Sequence, residues 1–185
     1  MRVFGIDPGS ERTGYGCVET DGSRHQLIAS GAITALASDT FPDRLARIHS
    51  ELTRLLAECR PDSVAIEDLF HASNARSALK LGHARGVAML AAVQAGCEVA
   101  EYTPAEVKRA VVGYGRAEKA QVQQMVKVLL GLDHLPTPHD AADALAVAIC
   151  HVHARPATAA RSALLSARTS AKPEARSWRQ YRPAR

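Results

Sequence analysis

Residues 2–33, RVFGIDPGSERTGYGCVETDGSRHQLIASGAI, decide the fold. RVFGI (2–6) reads as a short buried strand ending at Asp7, and Pro8-Gly9-Ser10 supplies a tight turn. A second strand is predicted from Thr13 to about Glu19. Asp21-Gly22 is a hairpin signal, because both residue types tolerate the positive φ that a two-residue turn needs. The next run, His25 to Ile33, is a third strand, so three antiparallel strands open the chain.

Downstream the period changes. Phe41, Leu45, Ile48, Leu52, Leu55, Leu56 and Cys59 recur at helical spacing with Arg and Glu between them, which predicts an amphipathic helix over 41–59 packed on the sheet. Ser63 to Ile66 is a buried strand that delivers Glu67 at its end. A long helix is predicted over Asn74 to Gln94, stopped by Gly96; its Arg76, Lys80 and His83 form one polar stripe, a solvated face or a row of phosphate contacts. Cys97 to Tyr102 is a further strand. Thr103-Pro104 starts a helix in the usual cap-then-proline order, Val122 to Leu130 defines another, and the last helix is expected over about His139 to His153. The order βββαβαβααα predicts an α/β body in which helices flank a central mixed sheet, antiparallel at first and parallel afterwards.

Length and charge bound what such a chain can be. At 185 residues it holds one domain with a core of its own. No run approaches the roughly 18 apolar residues that a bilayer span requires, and the N-terminus lacks the pattern of an export signal, so no membrane association and a cytoplasmic location are expected. Cys17, Cys59, Cys97 and Cys150 are too widely spaced for a zinc knuckle or a short disulfide framework and read as reduced, mostly buried thiols. The formal charge of +4 is unevenly spread: residues 155–185 carry eight of the 23 Lys and Arg but one of the 19 acids. The expected organisation is a body over 1–154, net negative, and a basic, disordered tail over 155–185, which could bind phosphates or simply keep the chain soluble.

Four carboxylates fall at the ends of predicted elements rather than on solvated faces. Adjacent strands can set Asp7 beside Glu67, and the i, i+3 spacing of Asp140 and Asp143 puts both on one helical face. Asp7 before Pro-Gly could be a turn residue and Asp140 a first-turn acid favoured by the helix dipole. Asp143 is different, because it interrupts the apolar run 141–146, where an unpaired charge is costly. Acids gathered in one pocket repel one another unless hard cations neutralise them, and an all-oxygen set favours Mg²⁺ or Mn²⁺.

These residues resemble those of the bacterial RuvC Holliday-junction resolvases. The matching segments are GIDPGSERTGYG (5–16), AIEDLFHASNARSALKLGHARGVA (65–88), EYTPAEVKRAVVGYGRAEKAQV (101–122) and HDAADALAVAICH (139–151). The resemblance implies a ribonuclease-H-like fold, a homodimer, and paired metal-dependent nicking of opposed strands in a four-way DNA junction during recombination and repair, leaving 5'-phosphate and 3'-hydroxyl ends. It implies two Mg²⁺ per subunit, replaceable by Mn²⁺, and cooperation with the branch-migration proteins RuvA and RuvB. Asp7, Glu67, Asp140 and Asp143 match the catalytic, metal-binding acids; some members carry a histidine where Asp140 falls. His139, just before it, is either a helper or a solvent-facing first-turn residue. Phe70 matches an aromatic used against bases at the junction centre, and Lys108 and Lys119 match basic positions near the scissile phosphate. Arg76, Lys80, Arg85, Arg109 and Arg116 are further candidates for phosphate contact, and the helix 74–94 is the expected dimer interface. An ATP-binding protein of the actin-like group would also begin with a strand and an Asp-x-Gly turn, but it gives the Asp140/Asp143 helix no role. A junction-binding module without catalysis would not need all four acids.

Overall fold

The computed structural model describes residues 1–68 and 74–169, the last fifteen of these by backbone alone. Two units divide the chain, Met1–Ala154 and Arg155–Arg185, and the first carries the sheet. Its strands are β1 (Arg2–Asp7), β2 (Arg12–Thr20), β3 (His25–Thr34), β4 (Ser63–Glu67) and β5 (Glu98–Tyr102), in the spatial order β3-β2-β1-β4-β5. β1 pairs with β2, and β2 with β3, antiparallel; β1–β4 and β4–β5 are parallel. The helices are α1 (Phe41–Cys59), α2 (Ala75–Gln94), α3 (Pro104–Val112), α4 (Lys119–Leu129) and α5 (His139–Thr169).

The alternation of each strand sorts side chains between two cores. Phe4, Ile6, Val64 and Ile66 point to the face covered by α1 and α2, where they meet Ile48, Leu52, Ala84 and Ala88. Val3 and Ala65 point to the other face, against Val107, Val122, Leu145 and Ile149 of α3, α4 and α5. By the same period Asp7 and Glu67 fall on the α5 side of the sheet. Helix starts follow the local chemistry: Thr40 and Thr103 each cap a helix reciprocally with an acid three residues on, Asp43 and Glu106, ahead of a proline in the first turn.

The contact of α5 with the sheet depends on missing side chains. A Cβ on Gly5 would lie 2.0 Å from the Ala144 carbonyl oxygen, one on Gly14 2.0 Å from that of Asp140, and one on Gly16 2.6 Å from Leu145. Gly5 and Gly16 are register partners, and Gly14 is the partner of Asp7. The three glycines form a seam into which the first turns of α5 settle at backbone distance.

The last helix is longer than expected. Apolar periodicity ends near His153, whereas the backbone of α5 runs on to Thr169, past Pro156; residues 170–185 lie outside those described. On the seam, Gly5→Ala is expected to destabilise the fold by roughly 2–3 kcal/mol, because backbone rather than a flexible side chain must yield. That corresponds to a loss of roughly 5–10 °C in Tm; an unchanged melting curve would contradict the close approach.

Candidate active site

Asp7 ends β1 and Glu67 ends β4, and the register Ile6↔Ile66 sets the two residues side by side on parallel strands. Their carboxyl groups lie close enough to hydrogen-bond to each other, and the surroundings of each raise its pKa. α5 descends over the glycine seam and brings Asp143 and Asp140 close enough for their charges to act on the Asp7 carboxyl. Burial first, then the charges of Glu67, Asp143 and Asp140, push the Asp7 carboxyl up to about 8. Burial raises Glu67 as well, opposed by its bond to Asp7 and by Lys119 and Lys108, and reinforced by Asp143.

Three cations flank the cluster. Lys119, the first residue of α4, sets its Nζ 2.5 Å from Oδ2 of Asp143. Burial opposes the charge on that ammonium, but the bond to Asp143 and the nearby Asp7 and Asp140 outweigh it, so its pKa is raised. Lys108 of α3 joins Glu67, Lys119 and Asp143 around a cleft of about 210 Å³. On the other flank Nη1 of Arg12 stands 3.6 Å from Oδ2 of Asp140.

The remaining predicted residues are placed less centrally. His139 is exposed, with Nδ1 3.0 Å from Nε2 of Gln123, a buried α4 residue. Arg76 is exposed on the first turn of α2. Lys80 lies over the Phe41 ring at 5.8 Å, and His83 meets the same ring edge-on, so part of the polar stripe is packed against α1. Arg85 pairs with Asp68 and Glu101 rather than facing solvent. Phe70 lies outside the described residues. The sequence reading missed Arg12, which lies inside the quoted segment 5–16 but was given no role, and the glycine seam, whose signal was glycine at alternate positions 14 and 16 of a strand.

Among the described residues, no three His, Cys, Asp or Glu side chains already stand at metal-ligand spacing. Lys119 pairs with Asp143 and Arg12 with Asp140 instead. The donor set still suits a hard divalent cation, because it is all carboxylate and gathers negative charge at one end of the sheet.

A pH dependence follows. The unfolded Asp7 carboxyl ionises near 3.8 and the folded one near 8, so between those values the native state binds more protons than the unfolded chain. Stability of the metal-free protein should therefore fall as pH rises from about 4 to about 8. Asp7→Asn should flatten that fall and raise Tm at pH 8, by roughly 2–4 °C for each kcal/mol of repulsion relieved. Thermal melts without metal across this range check it; a flat profile for the parent protein would contradict the crowding of the acids.

The family model described as crossover junction endodeoxyribonuclease RuvC matches residues 3–151. The RuvC of Ruminiclostridium cellulolyticum is 54% identical over 151 residues, covering 82% of this chain and 91% of that protein. A Thermus thermophilus RuvC structure superposes with a TM-score of 0.79 at 35% identity, over 85% of this chain and 97% of that one. The T. thermophilus RuvC in complex with a Holliday junction substrate gives 0.78 at 34% identity, over 85% and 96%. The mixed sheet between two helical layers is thus the ribonuclease-H-like fold of these neighbours, and the chain belongs to the RuvC family of crossover junction endodeoxyribonucleases.

Proposed function

We propose that this junction endonuclease cuts with Asp7, Glu67, Asp140 and Asp143 acting together as ligands for two divalent cations, Mg²⁺ by preference or Mn²⁺. The contact of the Asp7 and Glu67 carboxyls beneath Asp143 carries the reading, since acids crowded this far are stable only against positive charge. When bound, such cations supply an activated water and offset the charge that develops on the phosphate and the leaving oxygen. The chain's own residues do the rest. Glu67 and Asp7 would ionise on binding the cations, and Asp140 and Asp143 would complete the oxygen set from the helix. Lys119 and Lys108 hold the phosphate backbone beside Glu67 and stabilise charge in the transition state. Water attacks phosphorus in line and loses a proton to solvent, the P–O3' bond breaks, and the leaving 3' oxygen takes up a proton, which gives a 5'-phosphate and a 3'-hydroxyl.

The enzyme acts as a homodimer in this proposal, in the cytoplasm and alongside RuvA and RuvB, on four-way junction DNA. The dimer is supported by α2. Leu79, Leu90 and Val93 are exposed on it, and a Cβ at Gly82 or Gly86 would meet nothing within 4 Å. The spacing 79, 82, 86, 90, 93 puts all five on one face, an apolar and flat surface suited to a second copy of itself. Two sites related by a two-fold axis match a substrate whose opposed strands are nearly symmetric. Phe70 would stack on a base at the junction centre and Arg76 and Lys80 would contact phosphates, with His139 a helper at the mouth of the site.

The test uses a synthetic four-way junction and a matched linear duplex with Mg²⁺. Paired nicks in opposed strands of the junction alone are expected, and Asp143→Asn should lower cutting by at least about a thousandfold, several kcal/mol of transition-state stabilisation, while leaving junction binding intact. Tight binding without cutting by the parent protein, in Mg²⁺ or Mn²⁺, would overturn the catalytic assignment.

A further inference from the structure

The four acids sit in the middle of one end of the sheet, and that end has two flanks. β1 and β4 deliver Asp7 and Glu67. Beyond β5 the chain turns into α3, which brings Pro104 and Lys108 to one side of the acids. On the other side β2 begins at Arg12, register partner of Thr34 at the end of β3, with Asp7 opposite Gly14 on the same strand. Arg12 reaches back to Asp140, and it also lines a separate groove of about 570 Å³ with Glu11, Thr34, Leu36 and Arg44 of α1. The Arg12 side chain is 57% exposed, and its carboxylate partner is 3.6 Å away, so its guanidinium keeps free donors. Arg44 is held in the groove by the Asp39 carbonyl at 3.3 Å and by Glu11 at 3.7 Å.

We propose that this Arg12–Arg44 groove is a second phosphate-binding subsite, which holds the sugar–phosphate backbone of the cut strand on the flank opposite Lys108 and Lys119. The inference rests on the endonuclease reading of the acids. A strand whose scissile phosphate lies at the acids has phosphates on both sides of it. Lys108 and Lys119 serve one side. On the other, the backbone would run past Asp140 and Glu11, where like charges repel, unless the two guanidinium groups intervene. Planar guanidinium forks suit that task, since they bind phosphate through two parallel hydrogen bonds. Glu11, with its side chain 84% exposed beside Arg44, opposes the incoming backbone and tempers the subsite. Arg12 thereby links the two grooves, with one side on Asp140 and the other open to DNA.

Salt dependence of junction binding reads the number of phosphates neutralised. In full-length protein carrying Asp143→Asn to prevent cutting, Arg12→Gln with Arg44→Gln should weaken binding to a four-way junction and lower the log–log salt slope by roughly 1 per guanidinium removed. Glu11→Gln, an exposed change with little risk to folding, should act in the opposite direction and tighten binding. Neutral methylphosphonate linkages on one flank of the nick should weaken binding by the Asp143→Asn protein and make no difference to the arginine variants. An unchanged slope in the arginine variants, or no gain from Glu11→Gln, would overturn the subsite. Failure of the Asp143→Asn protein itself to bind the junction in preference to duplex would instead overturn the reading on which the subsite rests.

Discussion

Everything at this site depends on how closely α5 approaches β1 and β2. The carbonyl oxygens of Ala144 and Asp140 occupy space that a Cβ on Gly5 or Gly14 would fill. Only glycine allows a helix backbone to lie at that depth on a sheet. The apolar face of α5, with Ala141, Ala144, Leu145 and Ala148 fully buried, holds it there. That packing brings Asp143 and Asp140 toward Asp7 and Glu67. The packing that makes the core also fixes the acids.

That arrangement sets a conflict between stability and chemistry. Buried carboxylates repel one another; burial and the neighbouring charges raise the Asp7 pKa, and the Lys119 ammonium pairs with Asp143. In the proposed function both arrangements give way, the oxygens to a cation and the lysine to a phosphate. A junction endonuclease of the RuvC family therefore carries in its resting fold a charge distribution complementary to what it binds. Natural sequences tolerate such local strain where function requires it and offset it by packing elsewhere, here the two apolar cores on either side of the sheet.

Much of this was legible in the sequence, for reasons that differ by residue. Asp7 and Glu67 could be found because a buried strand with a polar terminus has one address, the end of the sheet. Asp143 stood out because an unpaired charge inside an apolar run is costly, and the structure pairs it with Lys119. Lys108 and Lys119 came from family resemblance, and the cleft they share with Glu67 gives that resemblance a geometry. Arg12 could not be found, since its partner Asp140 is distant in sequence and no spacing rule joins a strand start to a helix start. Arg85 was misjudged for the same reason: its partners Asp68 and Glu101 come from other elements. The extent of α5 to Thr169 was not legible, because apolar periodicity stops near His153 and Pro156 reads as a helix breaker.

If Asp7 and Glu67 ligate a cation as proposed, metal binding must displace the proton that burial favours on Asp7. Calorimetric titration of the protein with Mg²⁺ or Mn²⁺ at pH 7, in two buffers of different ionisation enthalpy, measures that proton directly. The heats are expected to differ between the buffers by an amount corresponding to a net release of roughly one proton per chain, and that release should vanish in Asp7→Asn. Equal heats in the two buffers for the parent protein would contradict it, because the acids would then be ionised before the metal arrives.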